Sequence, residues 1–241
     1  MLYHNTVCNY PYDICTETEK IISKDIPRTN IVGSTLTEVE LEAVRTLLTQ
    51  YVQTMPCDGY LQGFNYIVYV LYDVYKRDDD EHAMADAWWS MVTIVSIIRP
   101  MIPDHDPTDF AKYTKTWSKH YIEHLQRYSP RTHHLLTPFY DIILPSLTVK
   151  WLMIWFTQMF AMHDVEVLWD ALITCDPRQR TKLMAIIAAN ITIQHADSII
   201  FWAREHPSEI GPRLLGVTAR DAKILIDASR HSMLQYKLPG T

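Results

Sequence analysis

Two short segments of the chain contain an arginine and a glutamine that could take part in a reaction. The first segment, 22–29, reads ISKDIPRT, and the second, 60–65, reads YLQGFN. Pro27 lacks an amide proton and biases Ile26 toward an extended backbone. The sequence therefore predicts that Arg28 projects from a stiffened loop rather than from the interior of a helix.

Gln62 lies at the predicted start of a helix over 60–76 that is apolar nearly all round. The few polar positions of this helix, Gln62, Asn65, Tyr69 and Asp73, recur at i, i+3, i+7 and i+11. Residues at this spacing share one face of a helix. We therefore expect a single exposed polar stripe that begins at Gln62.

An exposed arginine together with an exposed amide suits phosphoryl transfer. That reaction needs positive charge on the γ-phosphate oxygens and a polar group that orients the attacking water. Arg28 would supply the charge and Gln62 would orient the water. A protein with these two side chains needs no nucleotide site of its own if it completes the active site of a partner.

The elements that must position these side chains are predicted to be helices. Thr37 and Glu40 form a capping box, in which a hydroxyl and a carboxylate satisfy free amide donors at a helix start. Apolar residues at helical spacing predict the other helices, which Pro and Gly residues end. Asp106-Pro107 and Asp176-Pro177 are start signals with Pro at the first helical position, and Thr218 to Asp221 form a second box-like start. The predicted helices span 38–54, 60–76, 81–98, 107–128, 131–144, 148–162, 164–174, 177–195 and 219–236. Residues 1–34 read as a loop-rich lead-in.

The predicted fold class is therefore all-α. No strand hairpin is evident, and the absence of a repeat of 20–50 residues argues against a solenoid. A cluster of prolines over 100–107 is the predicted seam between two helical lobes. The first lobe, 1–100, carries both chemical segments, and the second lobe spans 101–241.

Composition excludes several classes of protein. The chain of 241 residues holds only 6 glycines, and neither a G-x-G-x-x-G nor a G-x-x-x-x-G-K-[ST] pattern occurs, so a nucleotide cofactor is not expected. The formal charge is -6 and no basic tract exceeds two residues, which disfavours nucleic acid as a partner. The four cysteines form no C-x-x-C pair and are expected to be reduced.

The sequence also predicts a cytoplasmic location. No signal-peptide pattern opens the chain. The most apolar stretch, 151–162, is only about 12 residues long and contains Thr157 and Gln158, whereas a membrane span needs about 20 apolar residues.

Four motifs together resemble the TBC-domain family, the activators of Rab-type GTPases. The family patterns I-x-x-D-x-x-R and Y-x-Q match 22–28 and 60–62. Downstream, 150–156 resembles the family's K/R-W-hydrophobic helix, and 167–172 resembles its L-W-D-x-L segment. The resemblance covers roughly residues 20–195.

The resemblance implies a two-lobed helical fold and a mechanism with two fingers. Arg28 matches the arginine finger, and Gln62 matches the glutamine finger that replaces the water-positioning glutamine of the GTPase. Asp25 and Tyr60 match the supporting positions that hold the fingers. The implied partner is a Rab-type small GTPase, which brings its own GTP and Mg²⁺. Contact with organelle membranes would be transient, through the lipid anchor of that partner.

The chain departs from the family pattern at two places. The family's upstream R-x-x-x-W helix has no match among the 21 residues before Ile22, and Asn30-Ile31 stand where the family often has an aromatic residue and a proline. These departures indicate a truncated or divergent N-terminal lobe. A TBC-like module that binds a GTPase or another protein without catalysis therefore remains an alternative.

A zinc peptidase is a rival from another class. Residues 120–124 read H-x-x-E-H, which places His120 and His124 on one helix face at the spacing of two zinc ligands. Glu205 and Glu209 lie downstream as candidate third ligands. The competing interpretation is a solvated helix face with charge pairs between residues four apart, such as Lys119 and Glu123. The four cysteines show no signature of a nucleophile.

Overall fold

The protein is helical throughout the part of the chain that the structure describes. A computed structural model describes residues 16–55, 59–79, 81–99 and 107–235. The chain divides into two compact units, Met1–Arg99 and Pro100–Thr241. Apart from one isolated bridge between Ile31 and Ser34, every regular element in the described residues is a helix. The predicted all-α fold class is confirmed.

Helix bounds in the first unit follow the sequence signals closely, with one addition. The helices are α1 (Thr16–Asp25), a 3-10 turn (Ile26–Arg28), α2 (Glu38–Thr54), α3 (Phe64–Asp78) and α4 (Ala83–Ile98). The interpretation of 1–34 as loop-rich is wrong for 16–25, which form α1. The capping box of α2 is confirmed, since the Thr37 amide donates to Glu40 Oε2 at 2.7 Å and the Glu40 amide donates to Thr37 Oγ1 at 3.3 Å.

α3 is the central helix of the first unit. It contacts both α2 and α4, and most of its first eight residues are buried. Burial on several faces explains why its sequence is apolar nearly all round. The polar residues that remain on such a helix must find partners inside the unit.

The second unit packs around one long apolar helix. Its α-helices are α5 (Pro107–Tyr128), α6 (Pro130–Leu136), α7 (Tyr140–Leu147), α8 (Met162–Ile173), α9 (Pro177–Gln194), α10 (Ala196–Glu205), α11 (Ile210–Leu215) and α12 (Ala222–Gln235). α9 contacts α5 and α12, and its central residues from Leu183 to Ala189 are all buried. The Asp176 side chain caps α9 at its start, as the Asp-Pro signal predicts. Asp106, predicted to cap α5, lies outside the described residues.

Three predicted helices of the second unit differ from the structure. The segment predicted as one helix over 131–144 forms α6 and α7, which are separated by a 3-10 turn, Thr137–Phe139, that has Pro138 near its start. The segment 148–162 was predicted as one helix, but only a π-helical turn, Thr148–Leu152, forms there, and the chain then reverses with positive φ at Trp155 (47°) and Phe156 (62°). The last helix begins at Ala222, three residues later than predicted. Its first amide donates to Asp164 Oδ1 at 3.0 Å, so a residue from α8 caps it rather than the predicted Thr218.

No single helix within the described residues is long and apolar enough to cross a membrane. The pair α9 and α10, bent by 65°, meets that test only when the two helices are counted together.

Candidate functional site

Arg28 lies in a single 3-10 turn that follows α1 directly. Pro27 occupies the start of the turn, where its missing amide proton leaves no hydrogen bond unmade. The Thr29 amide closes the turn on the Ile26 carbonyl at 3.0 Å. Ile26 is therefore helical rather than extended as predicted, while the arginine is exposed at the end of the turn as predicted. Among the described residues, the Arg28 guanidinium has no hydrogen-bond or ion-pair partner.

Gln62 lies in a turn before α3 rather than on the helix itself. The Phe64 amide donates to the Leu61 carbonyl at 3.1 Å, which makes Gln62 and Gly63 the two central residues of the turn. Gly63 has φ 112° and ψ -17°, a conformation that only glycine adopts without strain. This turn leaves Gln62 exposed beside the start of the helix.

Asp25 joins the two turns. Its carboxylate accepts the Tyr60 hydroxyl at 2.8 Å through Oδ2 and the Gln62 amide at 3.4 Å through Oδ1. Asp25 is only 4% exposed, so these donors compensate for the loss of water around its charge. Burial and the neighbouring Asp25 carboxylate raise the pKa of Tyr60 well above its ordinary value, which keeps the hydroxyl a donor.

The polar stripe of α3 faces inward, contrary to the prediction of an exposed stripe. Asn65 and Tyr69 are 1% and 2% exposed. The Asn65 amide donates to Thr29 Oγ1 at 2.9 Å, and the Tyr69 hydroxyl is hydrogen-bonded to that of Ser34 at 3.0 Å. Asn65 Nδ2 also donates to the Asp25 carbonyl at 3.4 Å, so the stripe packs against the chain on both sides of Arg28.

The resulting arrangement presents two exposed side chains from one buried anchor. Arg28 offers a cation with no partner in the described residues, suited to the oxygens of an anionic group. The side-chain carbonyl of Gln62 likewise has no partner among the described residues and can accept a hydrogen bond from water.

The residues of the H-x-x-E-H pattern make protein contacts instead of converging on one point. His124 is 1% exposed, and its Nε2 lies 2.9 Å from Asn190 Oδ1. His120 Nδ1 lies 3.6 Å from Glu123, which also pairs with Lys119 at 3.9 Å. Within the described residues, which include Glu205 and Glu209, no group of three His, Cys, Asp or Glu side chains could hold a metal ion. The solvated-face interpretation holds for the charge pairs, while His124 is a core residue.

Comparison with known proteins decides the family. The model of the Rab-GTPase-TBC domain matches residues 8–200, a span that contains both turns. The chain belongs to this TBC family. The human protein "TBC1 domain family member 13" is 27% identical over 185 residues, which cover 70% of this chain and 45% of that protein. The chain thus matches less than half of this relative's length.

A solved structure shows the same fold. The crystal structure of the Ypt/Rab-GAP domain of Gyp1p superposes with a TM-score of 0.72, over 98% of this chain and 80% of that one, at 17% identity. This likeness confirms the two-lobed helical TBC fold inferred from the motifs.

Three residues beside the site were not singled out by the motif patterns as supports for Arg28. Thr29 and Asn65 hydrogen-bond to each other, and the Tyr66 hydroxyl donates to the Arg28 carbonyl at 3.1 Å. A polar residue on an otherwise apolar helix indicates such a role, and Asn65 is a residue of this kind. Its partner was not predictable, because helical spacing does not specify what a face packs against.

Proposed function

We propose that this TBC domain stimulates GTP hydrolysis by a Rab-type small GTPase, with Arg28 and Gln62 entering the partner's active site. The observation that carries the proposal is the buried Asp25 carboxylate. It hydrogen-bonds to Tyr60 and Gln62 at the end of the helix that leads into the Arg28 turn. Membership of the TBC family supports the class of activity.

Each residue of the site has a separate task in this proposal. Arg28 spreads positive charge over the transferring phosphoryl group, and Gln62 orients the attacking water through its amide. Asp25 and Tyr60 hold the two turns in place. GTP and Mg²⁺ belong to the partner, and the chain performs no reaction by itself. It acts from the cytoplasm and reaches organelle membranes through the lipid-anchored GTPase.

The first prediction concerns the two exposed side chains. Arg28→Ala removes the charge on the phosphoryl oxygens and should slow the stimulated rate by about 10²–10⁵-fold, with binding of the GTPase largely kept. Arg28→Lys should also fail, because a point charge does not reproduce the planar fork of a guanidinium. Gln62→Ala should cause a similar loss. The two losses should be far from additive, because both residues serve one transition state.

Single-turnover hydrolysis across a panel of Rab proteins measures these rates. Arg131→Ala and Gln126→Ala are matched controls, since both residues are exposed in the second unit. A Rab whose own water-positioning glutamine is mutated should still respond, because Gln62 would replace that residue. Unchanged stimulation by both the Arg28→Ala and Gln62→Ala variants would show that the two-finger mechanism is wrong.

One observation favours a second function, a non-catalytic module that binds a GTPase or another protein. The Gln62 amide is hydrogen-bonded to Asp25 rather than extended away from it. The first function requires Gln62 to orient a partner's water while it is held by this bond of 3.4 Å or after leaving it, whereas binding alone places no such demand on Gln62. Binding of a Rab protein without any stimulation of hydrolysis would establish this function instead of the first.

A further inference from the structure

The backbone around Arg28 is held by side chains that lie outside the motif positions. The Tyr66 hydroxyl donates to the carbonyl of Arg28 itself at 3.1 Å. At the next residue, Thr29, the hydroxyl oxygen accepts a bond from Asn65 Nδ2 at 2.9 Å. The Thr29 hydroxyl in turn donates to the Asp25 carbonyl at 3.2 Å. Asn65 Nδ2 also donates to the Asp25 carbonyl at 3.4 Å, so α3 holds both ends of the 3-10 turn, with the shorter bonds at its carboxyl-terminal end.

The orientation of the Asn65 amide follows from this network. The single hydroxyl proton of Thr29 is used on the Asp25 carbonyl, so toward Asn65 the Thr29 oxygen only accepts. Asn65 must therefore present its nitrogen. Its oxygen, Oδ1, is buried without a hydrogen-bond partner in the described part of the chain. Leaving Asn65 Oδ1 buried without a partner costs free energy. This cost indicates that the hydrogen bond donated by Asn65 Nδ2 is the one that this position requires.

The position of Arg28 depends on how its backbone is held. Its guanidinium has no partner among the described residues, so nothing at the far end of the side chain fixes its position. Only the backbone of the turn determines where the side chain starts. An error of about 1 Å in placing a catalytic group costs roughly 10²-fold in rate.

We infer that Thr29, Asn65 and Tyr66 form a turn clamp that positions Arg28 by holding its backbone. This inference rests on the proposed function, because it assigns the clamp a role in the same reaction. The clamp differs from the Asp25 carboxylate, which binds the side chains of Tyr60 and Gln62 and makes no contact with the Arg28 carbonyl. All three members are positioning residues and do not contact the reacting atoms.

The test uses substitutions that remove single hydroxyl groups. Tyr66→Phe deletes the donor to Arg28, and Thr29→Val deletes the link to Asn65 while keeping the side-chain shape. Thr29→Ser restores the hydroxyl. Tyr75→Phe is the matched control, since Tyr75 lies on the same helix and bonds to Ser90 at 2.7 Å, away from the turn.

The first measurement needs no partner. The Thr29 amide closes the 3-10 turn, so its hydrogen exchange reports how often the turn opens. We expect Tyr66→Phe and Thr29→Val to speed exchange at this amide about tenfold, and Thr29→Ser and Tyr75→Phe to leave it unchanged. Unchanged exchange of the Thr29 amide in Tyr66→Phe and Thr29→Val would overturn the clamp, independently of any result obtained with a GTPase.

The second measurement is the stimulated rate of GTP hydrolysis. Tyr66→Phe and Thr29→Val should lower the maximal rate about tenfold while the half-saturating concentration of the Rab protein stays the same. A merely structural role would leave the maximal rate intact in the folded variants, and that result would overturn the inference. If the parent chain and Arg28→Ala differ strongly but Tyr66→Phe matches the parent, the clamp fails while the proposed function stands. If the parent chain stimulates no Rab protein, the proposed function fails and the clamp has no reaction to serve.

Discussion

At the scale of single residues, Asp25 couples the stability of the first unit to the geometry of the site. A buried carboxylate is tolerated only where donors replace the water it has lost. Tyr60 and Gln62 supply those donors from a turn 35 and 37 residues along the chain. The residue that places the two turns is thus the same residue whose charge has to be compensated.

Removing the Tyr60 hydroxyl should weaken the fold of the first unit. Tyr60→Phe leaves the buried Asp25 charge with one donor fewer, which should lower the free energy of unfolding by about 1.5–3 kcal/mol. Urea unfolding followed by circular dichroism measures this loss. Tyr128→Phe is the control and should change stability by less than about 0.5 kcal/mol, because that hydroxyl bonds to Gln235 at the surface. Equal losses in the two variants would show that the Asp25 contact adds nothing.

At the scale of elements, an arginine side chain caps the carboxyl-terminal end of α8, a place where many helices have a glycine. The Arg180 guanidinium, from the second turn of α9, donates to the carbonyls of Leu172 at 2.8 Å and Ile173 at 3.4 Å. These are carbonyls that a helix end leaves without partners, and a cation there also interacts favourably with the helix dipole. One arginine therefore fixes the short connection between two helices.

Loss of this cap should destabilise the second unit. Arg180→Met keeps the apolar stem and removes the donors, and we expect it to lower the free energy of unfolding by about 1 kcal/mol. Arg204→Met serves as the control, since Arg204 is exposed and has no ion-pair partner in the described residues. Urea midpoints of the two variants and the parent decide the question. A stability for Arg180→Met within error of that for Arg204→Met would rule out the cap.

Complete local signals specified the start of two helices. The Thr37–Glu40 box and the Asp176-Pro177 start placed α2 and α9 within one residue. The prediction of one helix over 148–162 is wrong because an apolar run fits a buried helix as well as it fits a buried irregular segment. There, a tertiary contact accompanies the irregular backbone, since the Trp155 carbonyl accepts the Trp169 indole at 3.0 Å, while the Phe156 amide makes only a local bond to the Trp151 carbonyl. Long-range hydrogen bonds of this kind leave no periodicity in a sequence.

The site was predictable to the same extent. Motif spacing singled out Arg28 and Gln62, and both are exposed. Asn65 and Tyr69 share one face of α3 as their spacing predicts, but Gln62 lies before the helix, and the direction of that face depends on what packs against it. Asn65 and Tyr69 turn inward because the chain around Arg28 covers that face, and only the folded unit shows this.

At the scale of the whole molecule, one buried and one half-buried histidine should make stability depend on acid. His124 links α5 to α9, since its Nε2 contacts Asn190, which in turn donates to Ser229 on α12 at 3.0 Å. Ser229 donates to the Leu225 carbonyl, so Asn190 Oδ1 accepts from a protonated Nε2. Burial lowers the pKa of His124, and the Arg127 charge lowers it further, although the bond to Asn190 opposes both. Burial also lowers the pKa of His120.

The last prediction follows from the sign of these shifts. Unfolded histidine titrates near 6.5, while His124 in the folded chain titrates lower, so between the two values the unfolded state binds more protons. The contribution of these histidines to the free energy of unfolding should therefore be fully present above pH 6.5. It should be lost as the pH falls below that value, by at most about 1.4 kcal/mol per pH unit for each histidine. His124→Gln keeps a donor toward Asn190 but does not titrate, so its free energy of unfolding should depend less on pH between 7.5 and 5.5. The exposed His134→Gln is the control and should keep the slope of the parent. Urea unfolding at several pH values measures these slopes, and an unchanged slope in His124→Gln would mean that another group controls the acid response.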